Sequence, residues 1–217
     1  MPKYKKLEYE VKTHFKSFDF RDMIAFTFIK ILRFFADIFF KKNYIKRALM
    51  LETVAGVPGM IAGTLQHLSI LRKMDKNANS NWIQKLLDEA ENERMHLMIF
   101  LEIGKPSVFD KIIVFFVQGI FFNLFFLFYI ISPKTSHRIV GDFEEEAVIS
   151  YTAFLDRLES GKIENITVPE WVKDYWKIPN GDLKDLVIAI RNDEAEHRDV
   201  NHSIVSQLTI FNKNEHS

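Results

Sequence analysis

The sequence predicts an all-α protein with six helices in a single domain. Only 8 Gly and 6 Pro interrupt 217 residues. Six long segments carry apolar residues at helical spacing, whereas strand patterns are weak. Hydrophobic residues make up 47% and charged residues 27%, which excludes a chain that is disordered throughout. No solenoid repeat and no linker rich in Pro or Ser divides the sequence, so we expect one domain.

Turn and capping residues set the bounds of the predicted helices, with Thr135 or Ser136 opening the fifth and Asp182 capping the sixth. We expect helices over about 19–40, 43–73, 80–103, 107–131, 135–161 and 183–208. The segment 162–178, which contains Pro169, is predicted to be an irregular connection. The helical domain is 19–210, between an N-terminal arm of residues 1–18 and a C-terminal tail of residues 211–217.

The second predicted helix contains a proline and three glycines. Pro58 removes a backbone hydrogen bond, so we expect a kink between Val54 and Pro58. Gly56, Gly59 and Gly63 lie near one face and should let a neighbouring helix approach closely. The alternative is a poorly formed helix or a loop.

Composition excludes several classes of function. Lys and Arg total 29, as do Asp and Glu, and this zero net charge argues against a broad nucleic-acid-binding surface. The sequence has no Cys, which excludes disulfides, a thiolate nucleophile and Cys-based zinc or iron–sulfur sites. Any metal must therefore be held by His and carboxylates.

The N-terminal residues show no recognisable presequence. They lack the apolar core of a secretory signal, and Glu8 and Glu10 precede the first arginine, Arg21, which is atypical of a mitochondrial presequence. Unconventional targeting, a presequence already removed and action where the protein is made are the open explanations, and we favour the last.

Two segments are apolar enough to insert into or lie on a membrane. Residues 112–131 carry no charge and have the length of a bilayer span. In the first predicted helix, Lys30, Arg33 and Asp37 recur on one face of an otherwise apolar helix, a pattern typical of a helix lying in a membrane interface. Burial in an ordinary core is the alternative for both segments.

Two Glu-x-x-His pairs indicate a metal site. Glu93 and His96 lie on the third predicted helix, and Glu194 and His197 lie on the sixth. Because positions i and i+3 of a helix are neighbours, each pair offers a carboxylate and an imidazole to one point. These donors together suit iron or manganese. A four-helix di-metal site also needs one glutamate from each of two further helices.

The second and fifth predicted helices supply those glutamates. Glu52 lies deep in an apolar stretch, and Glu144-Glu145-Glu146 opens another. The alternative is a set of exposed, salt-bridging helices, but a buried and unpaired Glu52 would be costly, and a metal removes that cost.

Three more residues take supporting positions relative to these donors. Asn92 and Asp193 each lie four residues before a histidine, where each is predicted to accept the N–H of that ring that faces away from the metal. Solvent-facing side chains are the alternative. Tyr151 lies two helical turns after Glu144 and is expected near the metals as a redox-active or proton-donating phenol; a plain core tyrosine is the alternative.

The metal site constrains how the protein meets a membrane. If the fourth helix crossed a bilayer once, the donors on the third and fifth helices would lie on opposite sides. We therefore expect the fourth helix, with the first, to form an apolar surface that dips into one leaflet. A monotopic membrane enzyme with a lipid-soluble substrate follows.

Four motifs in order resemble the alternative oxidase family, the cyanide-insensitive quinol oxidases. They are Arg47-Ala-Leu-Met-Leu-Glu52-Thr-Val-Ala-Gly-Val-Pro-Gly59, Asn92-Glu93-Arg94-Met95-His96-Leu97, Phe143-Glu144-Glu145-Glu146-Ala147 and Asp193-Glu194-Ala195-Glu196-His197-Arg198, followed by Val200-Asn201-His202. The resemblance covers about residues 47–202.

The resemblance implies a ferritin-like four-helix bundle that holds two non-haem iron ions, two extra membrane-facing helices (about 19–40 and 107–131) and a homodimer. It assigns the ligand roles to Glu52, Glu93, His96, Glu144, Glu194 and His197. It makes Tyr151 the catalytic tyrosine, and His137 matches another family histidine. The ubiquinol pocket that it implies is lined by Arg47, Leu51, Glu146, Ala147 and Ser150, with Arg47 hydrogen-bonded to a quinol oxygen.

The implied reaction oxidises two ubiquinols and reduces one O2 to two waters without pumping protons. The implied location is one leaflet of a respiratory membrane, either the matrix face of a mitochondrial or mitosomal inner membrane or the cytoplasmic face of a bacterial one. Phe143 and Ser150 replace the family's usual Leu and Thr, which can alter the shape of the pocket. Plastoquinol oxidases, other di-iron hydroxylases or ferritin-like iron stores, and a non-enzymatic membrane scaffold are the alternatives.

Overall fold

The computed structural model describes residue 15 and residues 20–40, 43–73, 80–178 and 180–214. The predicted all-α class is confirmed, since these residues form seven helices and no strand. The helices are α1 (Phe20–Phe40), α2 (Tyr44–Lys73), α3 (Ser80–Gly104), α4 (Val108–Ile131), α5 (Pro133–Glu159), α6 (Glu170–Trp176) and α7 (Leu183–Asn214). Apart from Phe15, the predicted N-terminal arm lies outside the described residues, as do Asp19, Pro179 and residues 215–217.

Capping residues explain where the helices begin. The Ser107 hydroxyl accepts the Asp110 N–H at 3.1 Å, and the Asp110 carboxylate accepts the Ser107 N–H at 2.9 Å, which forms a capping box at the start of α4. Helix α5 begins at Pro133, earlier than expected, because Ser132 ends α4 and also caps α5. A proline that stops one helix is well suited to the first position of the next.

Two predictions near the C-terminus are wrong. The segment 162–178 contains the short helix α6, so the described residues hold seven helices instead of six. Its seven residues are too few to show helical periodicity, and Pro169 is the residue that precedes its first turn. Helix α7 continues to Asn214, beyond Leu208, where the sixth helix is expected to end.

Helices α2, α3, α5 and α7 pack around a shared interior. The pairs α2–α3 and α5–α7 make the main contacts, α3 also contacts α7, and α2 also contacts α5. As expected, the glycines of α2 allow close packing, since a Cβ atom on Gly59 would lie 2.5 Å from the Leu86 carbonyl oxygen of α3. Helix α2 continues through Pro58, and a kink there stays a prediction.

Two apolar clusters fill the ends of this interior. One contains Phe100, Phe154 and Leu186, together with the buried face of α6. The other contains Val57 and Leu86, together with the end of α4. The middle turns of all four helices lie between the clusters and carry buried glutamates and histidines. The fold therefore surrounds a polar centre with apolar side chains on both sides.

Helices α1 and α4 cover one side of this assembly and expose apolar side chains. Two described stretches are long and apolar enough to cross a bilayer, namely Tyr44–Ser69 in α2 and all of α4. Within the protein, 67% of the α2 window is buried but only 11% of the α4 window. Burial in an ordinary core is therefore the wrong explanation for α4. Helix α1 likewise exposes Phe20, Phe28 and Phe34.

Several polar residues of α1 and α4 contact the helices beneath them. Lys30 and Arg33 of α1 both pair with Glu146 of α5. In α4, Gln118 donates to the Thr53 carbonyl at 3.1 Å, and Tyr129 is buried. These four polar residues therefore attach α1 and α4 to the helices beneath, and the apolar faces remain outside.

Candidate metal centre

All six predicted metal ligands meet between the two apolar clusters, and all six are buried. Donor atoms of Glu52, Glu93, His96 and Glu194 lie within 4.8 Å of one another. Donor atoms of Glu93, Glu144, Glu194 and His197 do the same. Glu93 and Glu194 belong to both groups. This overlap is the arrangement that two neighbouring cations with shared carboxylate ligands require.

The histidines lie at opposite sides of Glu93. His96 Nδ1 is 3.2 Å from Glu93 Oε2 and 3.2 Å from Glu194 Oε1. His197 Nδ1 is 2.6 Å from Glu93 Oε1. Each carboxylate oxygen of Glu93 therefore faces a different imidazole, as expected for a carboxylate between two metal sites.

Three buried carboxylate oxygens are not fully satisfied by hydrogen-bond donors of the described residues. Glu144 Oε2 has no donor. Glu52 Oε2 and Glu194 Oε1 lie 3.3 Å and 3.2 Å from His96 Nδ1, a single nitrogen that also faces Glu93 Oε2. A buried, unsatisfied carboxylate oxygen is costly. Metal coordination would satisfy these atoms, so the donor set fits a pair of cations held by oxygen and nitrogen.

The buried glutamates and histidines of the site shift each other's pKa values. Burial, followed by the charges of Glu194 and Glu93, raises the pKa of Glu52 well above its usual value. Burial opposes protonation of His197, but its hydrogen bond and charge interaction with Glu93 raise its pKa to about 10. A metal bound by these donors would therefore compete with protons for the same atoms.

Asp193 occupies a different place from the one predicted. Its Oδ2 atom lies 3.3 Å from His96 Nε2, so it orients the histidine of the other helix instead of His197. Contrary to the prediction, Asn92 does not accept a hydrogen bond from the His96 ring. Its amide donates to Asp193 Oδ2 at 3.1 Å instead. Asp193 precedes His197 by one helical turn, but its carboxylate lies closer to the His96 ring on the neighbouring helix α3.

Trp176 is a site residue that the sequence does not reveal. Its indole N–H donates to Asp193 Oδ2 at 2.8 Å, and its ring stacks on His96 with centroids 5.9 Å apart. Burial opposes ionisation of Asp193, but hydrogen bonds from His96 and Trp176 outweigh it and lower the pKa of Asp193. Helix α6 therefore helps to fix one metal-facing imidazole.

Tyr151 lies at the edge of the centre, on α5. Its hydroxyl donates to the Glu52 carboxylate, and its ring stacks on Phe100. Burial, followed by the negative charge of Glu52, raises the pKa of Tyr151 well above its usual value. The phenol therefore stays protonated and in contact with a predicted metal ligand.

Four of the five residues expected at a quinol pocket surround one cavity between α1, α2 and α5. They are Arg47, Leu51, Glu146 and Ala147. The cavity also touches Arg33 and has a volume of about 40 Å³, well below the ~300 Å³ at the lower end of ligand pockets. Ser150 is half-buried and does not line it. Arg47 pairs with Asp37 of α1, so α1 closes the cavity.

Glu89 is a further buried carboxylate near the centre that sequence analysis missed. It lies one turn before Glu93 on α3, and its carboxylate accepts the Asn201 amide at 3.1 Å. The position of Glu89 four residues before Glu93, on the same helical face, is the sequence feature that could have indicated its place near the centre. His137, which the resemblance singles out, is buried and hydrogen-bonded to Tyr129 and Asn201.

The family model for "Alternative oxidase" matches residues 3–206. "Alternative oxidase 3, mitochondrial" of Glycine max is 52% identical over 194 residues, which cover 89% of this chain and 59% of that protein. "Ubiquinol oxidase 2, mitochondrial" of Arabidopsis thaliana is 51% identical over 197 residues, covering 90% and 55%. "Ubiquinol oxidase 1a, mitochondrial" of Oryza sativa subsp. japonica is 54% identical over 182 residues, covering 83% and 54%. The chain spans about half the length of these curated relatives, and it belongs to the alternative oxidase family.

Proposed function

We propose that this chain is a di-iron ubiquinol oxidase that reduces O2 to water without pumping protons. The observation that carries the proposal is the pair of overlapping donor groups that share Glu93 and Glu194. The relatives named ubiquinol oxidase, at about half identity, support the substrate. The reaction balances as two quinols and one O2 giving two quinones and two waters, so it needs no proton from across the membrane.

The charges of the donor set suit two ferrous ions. The four carboxylates Glu52, Glu93, Glu144 and Glu194 carry four negative charges when ionised, and two divalent ions neutralise them in a buried site. His96 and His197 supply one nitrogen each. A bound pair of irons supplies the electron transfer to O2, and the protein supplies the buried, oriented ligands.

Other residues of the chain handle substrate and protons. Tyr151 is placed to donate its proton or hydrogen atom beside Glu52 during O2 reduction. Arg47 and Glu146 bind the quinol hydroxyls at the cavity beneath α1. Because Arg33 and Lys30 hold Glu146, and the cavity is small, quinol binding requires α1 to move away from α5.

The architecture that supports this function is a ferritin-like bundle of α2, α3, α5 and α7. The packing of these helices around one polar centre supports this assignment. We place the domain at 19–210, with α7 continuing to Asn214, and the arm at 1–18.

The protein is proposed to be monotopic on one leaflet of a respiratory membrane. Helices α3 and α5 bring donors to the same centre, so α4, which joins them, does not cross the bilayer once. The exposed apolar faces of α1 and α4 then enter the leaflet. The names of the relatives support a mitochondrial location. We propose the matrix face of the inner membrane, with the cytoplasmic face of a bacterial inner membrane as the alternative.

A homodimer is proposed, as the family resemblance implies. Exposed apolar side chains on α2 and α3 are available for such a contact, namely Met60, Leu87, Met98 and Leu101. Light scattering of the purified protein measures the mass. A monomer at micromolar concentration would contradict this assembly.

The double substitution F115D/F116D should weaken membrane binding by at least about tenfold. Both side chains are exposed on α4, at 71% and 61%, and each buried Phe contributes roughly 1.5–3 kcal/mol on transfer from water. Co-sedimentation with vesicles of respiratory-membrane lipids measures the effect. Ser203→Asp, at an exposed position of α7, is the control and should bind like the wild type. Equal binding by all three proteins would contradict the assignment of α4.

Oxygen uptake with ubiquinol in the presence of cyanide tests the function directly. We expect uptake that depends on ubiquinol and on bound iron, and a slower rate with plastoquinol. An iron-loaded, folded protein that takes up no O2 with either quinol would contradict the proposal and favour an iron store. Faster oxygen uptake with plastoquinol than with ubiquinol would show that plastoquinol is the substrate instead.

A further inference from the structure

Two ion pairs join α1 to α5 at the same spacing on both helices. Arg138 Nε of α5 lies 3.1 Å from Asp22 Oδ1, in the first turn of α1. About two turns later, Lys30 of α1 pairs with Glu146 of α5. Arg138 follows Asp22 by 116 positions in the sequence, and Glu146 follows Lys30 by the same 116. The two helices therefore run in the same direction, and a rise of about 12 Å separates the pairs on each.

The charges of these pairs alternate in sign along each helix. On α1 the carboxylate of Asp22 precedes the ammonium of Lys30. On α5 the guanidinium of Arg138 precedes the carboxylate of Glu146. Reversing the direction of α1 would bring acid against acid and base against base. Sliding α1 by one turn would take each charge away from its partner, which is costly for buried groups. The pattern therefore selects one direction and one register for α1.

The pair formed by Asp22 and Arg138 is the more deeply buried of the two. The side chains of Arg138 and Asp22 are 4% and 6% exposed, whereas that of Lys30 is 43% exposed. Arg138 Nη1 also lies 2.8 Å from His202 Nδ1, and its guanidinium lies 3.6 Å from the centroid of the Phe15 ring. An exposed pair contributes little, whereas the loss of one partner from a buried pair is strongly destabilising. The buried pair therefore has the larger effect on the register of α1.

The register of α1 determines which of its side chains reach the cavity proposed to bind quinol. Arg33 lines that cavity and pairs with Glu146. One turn later, Asp37 pairs with Arg47. Glu146 and Arg47 are the residues proposed to bind the quinol hydroxyls. If α1 slipped by one turn, both would lose their present partners, and the charges around the cavity would change.

We propose that Asp22 and Arg138 are positioning residues that set the register of α1 over the quinol cavity. The inference rests on the proposed ubiquinol oxidase function. Asp22 precedes Arg33 by three helical turns, about 16 Å along the axis, so the pair acts on quinol through α1. Asp22 and Arg138 belong neither to the donor groups of the metal centre nor to the lining of the cavity.

The kinetics of the double variant D22N/R138Q test the proposal. This variant removes both charges, so neither is left buried without its partner, and it should fold even where a single substitution does not. We expect the KM for ubiquinol to rise about tenfold, as for residues that act on a site from a distance. Because the metal ligands are unchanged, kcat should stay within about threefold of the wild type and iron per chain should be the same.

Asp185→Asn is the matched control. Asp185 is also a buried carboxylate in the first turn of a helix, α7, where it accepts the Asn180 N–H at 2.9 Å. It shares with Asp22 the favourable effect of an acid near a helix N-terminus, but it does not hold α1. Its variant should keep the wild-type KM. An equal rise in KM for both variants would contradict the proposal.

The register itself can be measured by pulsed electron resonance between two spin labels. The sequence has no Cys, so labels attach only where cysteines are introduced, here by Ile31→Cys on α1 and Ile149→Cys on α5. These side chains are 50% and 38% exposed. The full chain is loaded with diamagnetic Zn²⁺ in detergent. We expect one narrow distance with the ion pair intact, and a broader or second distance in D22N/R138Q, since a slip of one turn moves α1 by about 5.4 Å.

The outcomes separate this inference from the proposed function. A wild-type chain that binds iron but oxidises no quinol contradicts both. If the wild type oxidises ubiquinol, the proposal requires that D22N/R138Q change both the KM and the distance between the labels. A KM within about twofold of the wild type, or an unchanged distance, contradicts the positioning role alone.

Discussion

Glu93→Gln should remove both the bound iron and the ubiquinol oxidase activity. Glu93 is the carboxylate whose two oxygens face both imidazoles, and it belongs to both donor groups. The amide keeps the shape of the side chain but loses the charge and one acceptor oxygen. Substituting a residue that supports a metal ligand from outside typically weakens metal binding about 10–100-fold. We expect a greater loss of iron affinity for Glu93→Gln, because Glu93 is itself a proposed ligand. Iron per chain and cyanide-insensitive oxygen uptake measure it.

Glu91→Gln is the matched control for this substitution. Glu91 lies two residues away on the same helix, is exposed, and pairs with Arg94 at 2.7 Å. Exposed pairs of this kind contribute roughly 0–1 kcal/mol, so iron content and activity should stay at the wild-type level. Full iron binding by Glu93→Gln would contradict the ligand assignment.

Tyr151→Phe should lower activity by at least about 100-fold while the iron stays bound. The substitution deletes only the hydroxyl that donates to Glu52, and the ring can still stack on Phe100. Positioned proton donors contribute typically about 10²–10⁴-fold to rates. Oxygen uptake and iron content, measured on the same preparation, separate a lost proton donor from a lost metal.

The control for Tyr151→Phe is the same change at Tyr44. Tyr44 is half-buried and stacks on Phe154, with ring centroids 5.5 Å apart, and it does not touch the donor groups. Its variant should keep wild-type activity. If Tyr151→Phe retains more than a third of the activity, the hydroxyl has no catalytic role, and Tyr151 is a packing residue.

Spacing within a helix predicts which donors lie side by side but not what surrounds them. The i, i+3 relation within one helix fixes Glu93 beside His96 and Glu194 beside His197, whatever the tertiary structure. Which carboxylate lies behind which ring depends on how α3 and α7 cross, and no spacing within one helix contains that information. For this reason Asp193 was assigned to the wrong histidine.

Residues that act across helices were missed for the same reason. Trp176 lies on a helix too short to show periodicity, and it reaches the site only because α6 packs on α7. Asn201 bridges Glu89 and His137, which are far apart in sequence. The sequence predicts the exposed apolar face of α1, but not that Lys30 and Arg33 on its other face pair with Glu146 of α5.

The central claim is that buried glutamates and histidines from four helices hold two iron ions. Crystals of the iron-loaded protein, measured at the iron absorption edge, test it most directly. We expect two anomalous peaks per chain, one among Glu52, Glu93, His96 and Glu194 and one among Glu93, Glu144, Glu194 and His197. A folded protein with one peak, with peaks elsewhere or with no peak would contradict the claim.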